Sequence, residues 1–479
     1  MRQGLRLGID ARDVRRPGVW DGRVTVNYTV SDGDLNWSDT VMLRVAPVLT
    51  HHHLQRAERI ISLDPAPGPN LNRELRTAIA AAELRDPLFT LTEMGNDPWI
   101  QDFFEPGYSS IPGLQGPISI RILIRSFQLG REVGRKVFTS LQGTGVGAIQ
   151  GRDFTGWQGI DSMGNLETIP PHASNGTHYP AGRIIVGGDP SSGAQPMSLP
   201  FLQAQEIQDP IILDTAWLAV GHVDEFMQFL PSNNERGWVI MVADPLQGTR
   251  ILRNASAQGH QNTKFTRSVG REGVTGEMIG QVLNREDFIG ANEECARRIE
   301  ANLDILRNYT SIEEKDMHRL PLLYHHKEDT MEVNTSQIDS DATSQHQTEN
   351  EASQQQSGPT SAVKNVVLVA GQSEHTTSLR RRQNSWLGKY VAFIPGMING
   401  IVVTDKDIIV PKPFSPVVDS EDLFETAAIA AYGKVGFTVR FVDSWAYHRS
   451  EGELHCGTNT FRETNWPWWK TRAGNATQS

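Results

Sequence analysis

The hydrophobic rhythm of the chain changes near residue 50. Before that point apolar and polar residues alternate. Val24-Thr25-Val26-Asn27-Tyr28-Thr29-Val30 reads as an extended strand, Ser31-Asp32-Gly33-Asp34 has turn chemistry, and Thr40-Val41-Met42-Leu43-Arg44-Val45 reads as a second strand. Two or three strands do not close a sheet domain alone. This segment is therefore either an adornment of the main domain or the end of a larger β-sandwich.

From about residue 54 continuous apolar runs alternate with helical patterns. Ile120-Arg121-Ile122-Leu123-Ile124, Gly237-Trp238-Val239-Ile240-Met241-Val242 and Val366-Val367-Leu368-Val369 read as buried strands. Arg73 to Arg85, Gln281 to Asn308 and Leu423 to Tyr432 read as helices between them. The mixture predicts an α/β domain. Residues 327–362 interrupt it. From Asn334 to Ser361 the chain is rich in Ser, Thr, Gln, Asp and Glu, with almost no large apolar residue. Burial there does not offset the entropy of ordering, so a disordered insert is expected. The division is 1–50 β-rich, 51–472 one α/β domain carrying the insert, and 473–479 a loose tail.

Composition narrows the function. The net charge of −11 argues against a nucleic-acid footprint and favours cationic partners; Arg380-Arg381-Arg382 reads as a solvated basic loop. Two cysteines, Cys295 and Cys456, exclude a disulfide scaffold. There is no apolar run of about 18 residues, so no membrane span is expected. The opening Met1-Arg2-Gln3-Gly4 has no signal-peptide stretch, which points to the cytoplasm. Asn-x-Ser/Thr triplets at Asn27, Asn36, Asn175, Asn254, Asn308, Asn334 and Asn475 keep secretion open. Neighbouring histidines rarely share one ion, so His51-His52-His53 and His325-His326 read as linker and surface residues.

Three segments carry chemistry: Asp97-Pro98-Trp99-Ile100-Gln101-Asp102-Phe103-Phe104-Glu105, Trp217-Leu218-Ala219-Val220-Gly221-His222-Val223-Asp224-Glu225-Phe226, and Glu453-Leu454-His455-Cys456-Gly457-Thr458-Asn459. On an extended strand His222 and Asp224 point the same way, as an acid/base beside a cation anchor; alone they also fit a core histidine and a turn aspartate. Cys456 fits a nucleophile, with Gly457 allowing close approach, or a buried structural thiol. Cys295, in a charged helical run, reads as structural. Asp102 among apolar neighbours needs a cation, either a ligand guanidinium or an arginine of the chain itself. Together a Cys, a His and two Asp fit attack of a thiolate on a planar cationic carbon.

These strings, in this order, resemble the catalytic domain of the protein arginine deiminases over roughly residues 30–470, excluding the insert. Gly164-Asn165-Leu166-Glu167, Ile394-Pro395-Gly396-Met397-Ile398-Asn399 and Pro411-Lys412-Pro413-Phe414 support it. The resemblance implies a pentein, a five-bladed α/β propeller of ββαβ-type units, preceded by strands that resemble the end of an immunoglobulin-like domain. It implies hydrolysis of peptidyl arginine to peptidyl citrulline and ammonia. Cys456 would be the nucleophile and His222 the general acid/base, with Asp102 and Asp224 holding the guanidinium. Arg131, with Arg125 as the alternative, would hold the substrate backbone, and Trp99 and Val220 would wall the arginine stem. One Ca²⁺ would sit on Gln101, Glu105, Met163, Leu166 and Glu167, partly through carbonyls. A neighbouring second site would need an acid where Phe103 stands.

The implied partners are arginine-containing proteins or peptides, with no nucleic acid and no membrane, and a homodimer left open. The alternatives are a deiminase or amidinotransferase acting on free arginine or another small guanidine, and a non-catalytic pentein-fold binding protein. An acyl hydrolase is disfavoured, since two carboxylates beside the thiolate would hinder it.

Overall fold

The apolar runs at 120–124 and 237–242 are strands, in small mixed sheets. A computed structural model describes residues 8–9, 11, 13–84, 88–151, 159–266, 276–327 and 389–469. Among these, five sheets hold three or four strands each, and no single sheet closes on itself. Every one of the five repeats a pattern: a central strand has an antiparallel neighbour on one side and a parallel neighbour on the other.

In the first sheet Ala57–Leu63 lies between Asn459–Arg462, antiparallel, and Phe89–Leu91, parallel. In the second Ile118–Arg125 lies between Phe104–Ile111 and Val146–Ile149, with Leu49–Thr50 on the far edge. The third sets Arg183–Gly188 between Leu166–Ile169 and Ile211–Asp214. The fourth sets Trp238–Asp244 between Met227–Pro231 and Met317–Pro321. The fifth sets Asp407–Pro411 between Ile401–Val402 and Thr438–Val442.

A parallel neighbour requires a crossover, and helices lie in those crossovers: Leu71–Ala81, Lys136–Thr139, Leu199–Ala204, the pair Pro245–Ala255 and Glu286–Thr310, and Leu423–Gly433. The molecule is an α/β protein.

Local chemistry explains where the helices start and stop. Asp422 caps Leu423–Gly433 by accepting from the N–H groups of Phe424 and Glu425, and Asp244 caps the helix that begins at Pro245. The helix expected over 73–85 ends at Ala81, because Glu83 turns to φ +56°. The helix expected over 281–308 is two, Ile279–Leu283 and Glu286–Thr310, parted at Asn284-Arg285. The largest core packs the fourth and fifth sheets against the long helix, joining Trp238, Ile240, Phe288, Leu303, Ile408, Phe424 and Tyr432. Cys295 lies within it, fully buried, its thiol pushed well above the ordinary range by burial.

The expected N-terminal strands form. Arg23–Asp32 pairs with Leu35–Arg44 around Gly33, whose φ is +61°. No third strand joins them among the described residues, and both faces are largely exposed. Leu49–Thr50 belongs instead to the second sheet.

The reading of His51-His52-His53 and His325-His326 as linker and surface residues is corrected. His51, His52 and His325 are buried, and His53 is half-buried. His51 stacks on Tyr108 at 5.0 Å, His52 meets Trp466 edge-on at 4.6 Å, and His53 Nδ1 donates to the Phe229 carbonyl at 2.7 Å. A neutral imidazole packs as a flat aromatic, and burial holds His52 at about 3.

The apolar run 366–369, Arg380-Arg381-Arg382, nearly all of the expected insert and the 473–479 tail lie outside the described residues. Among the described residues no helix is long and apolar enough to cross a membrane.

Candidate active site

Cys456 is placed by the turn that leads into the last strand. Gly457 N–H donates to Glu453 O at 3.1 Å, Thr458 Oγ1 donates to Leu454 O at 2.9 Å, and Tyr447 Oη donates to Gly457 O at 3.1 Å. A Cβ at position 457 would lie 2.2 Å from the Tyr447 ring, so only glycine fits. Pairing of Asn459–Arg462 with Ala57–Leu63 carries this turn to the N-terminal half of the domain. There Gln101 N–H donates to Cys456 O at 3.1 Å and Asn459 Nδ2 donates to Phe104 O at 2.9 Å. The short helix Ile100–Phe103, which carries Asp102, is thereby tied directly to the cysteine turn.

His222 and Asp224 do not lie on a strand, contrary to the expectation. Gly221, at φ +86°, turns the chain, His222 is extended, and Val223–Glu225 is one turn of 3₁₀ helix. Glu225 closes the turn by accepting from His222 N–H at 2.7 Å. His222 Nε2 donates to Gly159 O at 3.2 Å, which leaves Nδ1 on the site side, 3.9 Å from Asp102 Oδ1. Asp224 Oδ2 accepts from Asn399 Nδ2 at 2.8 Å and His455 Nδ1 at 2.9 Å, and lies 3.5 Å from Cys456 Sγ. All four sequence-selected residues are buried.

Three buried polar atoms here lack a hydrogen-bond partner among the described residues: Asp102 Oδ1, Asp224 Oδ1 and His222 Nδ1. Gly164 packs directly against two of them. A Cβ there would sit 2.7 Å from His222 Nδ1 and 2.9 Å from Asp102 Oδ1. The arrangement suits a flat cation with several N–H donors, held beside a thiol.

The electrostatics are anionic. Burial pushes the Cys456 thiol well above the ordinary range, and Asp224 and Asp102 push it further. Burial also opposes ionisation of Asp224, yet the His455 hydrogen bond, the His455 and His222 charges and the Asn399 amide hold its carboxyl below the usual value. Burial works against charge on His455 too, but Asp224 and Glu167 raise its pKa. Glu225 is raised to about 8 by burial.

The two arginine candidates differ. Arg131 sits at the site with its guanidinium engaged: Nε and Nη2 donate to Asp97 at 2.6 and 2.9 Å, and Nη1 reaches Gln128 Oε1 at 2.9 Å and Asp102 Oδ2 at 3.1 Å. Asp102 therefore holds an arginine of the chain on one oxygen and keeps the other unpaired. Arg125 donates to the carbonyls of Leu129 and Arg131, both at 3.2 Å, and to Gln150. Trp99 immediately precedes the Asp102 helix and packs on Tyr447 at 5.3 Å. Val220 precedes the Gly221 turn and is half-buried.

Next to the site lies a polar cavity of about 30 Å³. Gln101, Glu105, Leu166 and Glu167 line it, and His51, His53, His455 and Arg462 share the lining. Met163 does not line it; its side chain packs with Val186 and Leu199. Burial raises Glu105 well above the usual range and Glu167 to about 7. Gln101 Nε2 donates to Glu105 Oε2 at 2.9 Å. Phe103 is fully buried. Among the described residues no three His, Cys, Asp or Glu side chains converge on one ion position. Any ion here would depend on the Gln101 amide oxygen and backbone carbonyls as well as the two carboxylates.

Sequence reasoning assigned no role to Asn399, Gly164, His455 or Gly159. The strings containing Gly164 and Asn399 were visible, but their contacts link segments far apart in the chain.

Comparison with known proteins gives concordant relatives. The family profile described as "Protein-arginine deiminase (PAD)" matches residues 35–470. Protein-arginine deiminase type-3 of Rattus norvegicus is 27% identical over 483 residues, covering 96% of this chain and 61% of that protein. Protein-arginine deiminase type-4 of Homo sapiens is 26% identical over 443 residues, covering 90% of this chain and 57% of that protein. The chain thus spans about three-fifths of the length of these relatives. Among solved structures, an agmatine deiminase of Enterococcus faecalis aligns over 87% of this chain and 96% of its own, at 11% identity and a TM-score of 0.40.

Proposed function

The chain belongs to the protein-arginine deiminase family, and on that premise we propose that it hydrolyses the guanidinium of peptidyl arginine to the ureido group of citrulline. One observation carries the reading: three buried polar atoms without a hydrogen-bond partner among the described residues, on Asp102, Asp224 and His222, are gathered around the Cys456 turn, with Asp224 Oδ2 3.5 Å from the sulfur.

A guanidinium offers five N–H donors in one plane, enough to satisfy both free carboxylate oxygens. Its charge also offsets the anions that oppose thiolate formation, so substrate binding favours the nucleophile. On substrate binding the Cys456 proton passes to His222 Nδ1, and the thiolate attacks the central guanidinium carbon and forms a C–S bond in a tetrahedral adduct. The adduct collapses with cleavage of one C–N bond, and His222, through Nδ1, protonates the departing nitrogen, which leaves as ammonia. His222 then takes a proton from water as the hydroxyl adds to the same carbon. Breaking the C–S bond gives the neutral ureido product and restores the thiolate. Overall, one guanidinium and one water become one ureido group and one ammonium.

We read the five mixed sheets as the blades of a pentein propeller, with the site at their common centre. The first and last segments of the domain meet in one blade, which suits a ring closure. For calcium, the oxygen donors fit a hard cation: Glu105, Glu167 and Gln101 would hold it, with the carbonyl of Leu166. It would supply a counter-charge that lets both buried acids ionise, in competition with Arg462 at the same cavity. Arg131 would hold the substrate backbone only after exchanging one of its present partners.

The test is a citrulline assay with a blocked arginine ester and with free arginine, each with calcium and with chelator. Turnover of the ester, abolished in Cys456→Ser, is expected. Turnover of free arginine alone would sink the peptidyl-substrate reading in favour of a small-guanidine enzyme. Full activity in chelator would remove the calcium assignment.

A further inference from the structure

We propose that Asn399 is the positioning residue of this site: its side-chain amide clamps the Cys456 turn to Asp224 and gives the sulfur a hydrogen-bond donor in an otherwise anionic pocket. The side chain is buried and both of its ends are used. Oδ1 accepts from the backbone N–H groups of His455 at 2.8 Å and Cys456 at 3.3 Å. Those two donors need an acceptor, so they fix which end of the amide is oxygen. Nδ2 therefore faces the site, donating to Asp224 Oδ2 at 2.8 Å and to Cys456 Sγ at 3.4 Å.

The placement has three consequences. The nucleophile's own backbone hangs from Oδ1, so rotation of the amide would release the turn that aims the sulfur. The Asp224 carboxylate is oriented by the same group, which leaves Oδ1 of Asp224 free for a ligand. When the thiol ionises, two carboxylates stand nearby, and the Nδ2–H group points at the new charge. A charge-assisted donor of this kind is stronger than a neutral one. The segment that delivers Asn399 precedes Ile401–Val402 of the fifth sheet, so this residue ties that sheet to the Cys456 and Asp224 turns.

The inference rests on the proposed reaction only for Cys456 being the nucleophile; its test does not need turnover. The full-length chain and its Asn399→Asp and Asn399→Ala variants are alkylated with iodoacetamide from pH 6 to 10. Modification of Cys456 and Cys295 is read separately by mass spectrometry. Asn399→Asp removes the donor and adds an anion, so the Cys456 midpoint should rise by about one pH unit or more. Asn399→Ala should give a smaller rise. In ester turnover kcat should fall more than KM rises.

Cys456 profiles that superimpose on the wild type in both variants would overturn the proposal. Cys295 becoming reactive in both variants would also overturn it, because that assigns Asn399 to folding. A wild type that makes no citrulline, with the Cys456 shift still present in the variants, would remove the deiminase reading and leave the clamp standing.

Discussion

A buried polar atom without a partner costs about 1–3 kcal/mol, and three of them, on Asp102, Asp224 and His222, lie at one site in this protein. At the scale of single residues, folding has left that cost in place where a ligand can relieve it. Gly164 lets the chain pass close to two of these atoms. Gly164→Ala places a methyl 2.7 Å from His222 Nδ1 and 2.9 Å from Asp102 Oδ1. Ester turnover should fall by roughly 100-fold, the scale of a 1 Å misplacement, while the unfolding midpoint moves by only a few degrees. Near-normal turnover with intact fold would show that the present placement of His222 Nδ1 and Asp102 Oδ1 is not needed for the reaction. Cys456, His222, Asp102 and Asp224 stood out from the sequence only as a set, each fitting a structural role when taken alone, and the family resemblance supplied their roles. Gly164 and Asn399 drew no role there; their importance lies in what they touch.

At the scale of elements, the hairpin of Arg23–Asp32 and Leu35–Arg44 is the odd member. Its register puts Val24, Tyr28, Val30, Trp37 and Val41 on one face, and all five are exposed. An element that buries so little adds little to stability. Trp37→Ser combined with Val41→Ser is therefore expected to leave the thermal midpoint within about 1 °C, and to lower aggregation by removing an exposed apolar face. A large drop in midpoint, measured by circular dichroism, would contradict the exposure of this face. Alternation predicted both strands, the first to within two residues at each end, but the second begins at Leu35 and not at the expected Thr40. It could not say whether a second layer covers them, because the period of a strand reports a face and not its neighbour. The turn at His222 shows the reverse. Two-residue spacing was compatible with a strand, but Gly221 and the Glu225 side chain made a 3₁₀ turn of it.

At the scale of the whole molecule, buried ionisable groups set the response to pH. His52 and His325 are held at about 3, His172 at about 4, and His51 and His53 well below 6.5, in each case chiefly by burial. Their folded pKa values lie below the unfolded one, so their contribution is intact above about pH 6.5 and is lost as the pH falls. Glu105, Glu167 and Glu225 run the other way. Burial raises them, Glu167 to about 7 and Glu225 to about 8, so their contribution is full below about pH 4.5 and is lost as the pH rises toward 8. These five imidazoles outweigh the three carboxyls between about pH 4.5 and 6.5, and above that the carboxyls act together with His455, whose raised pKa makes its contribution fall with rising pH as well. Stability to urea should peak near pH 6.5 and decline on both sides, by up to about 1.4 kcal/mol per pH unit for each group that titrates. A monotonic rise from pH 5 to 8 would contradict this.

The sequence by itself determined the α/β mixture, a few of its strands and helices, and a set of four candidate site residues, because hydrophobic period and residue chemistry are local properties. Only the tertiary structure decided that residue 456 lies beside residues 101–102 through a sheet joining the two ends of the domain. It also decided that Arg131 already occupies one oxygen of Asp102, that the histidine run is buried, and that Asn399 spans two turns. Each of these depends on which distant surfaces meet, and the free energy of that choice is spread over packing contacts that no single stretch of sequence contains.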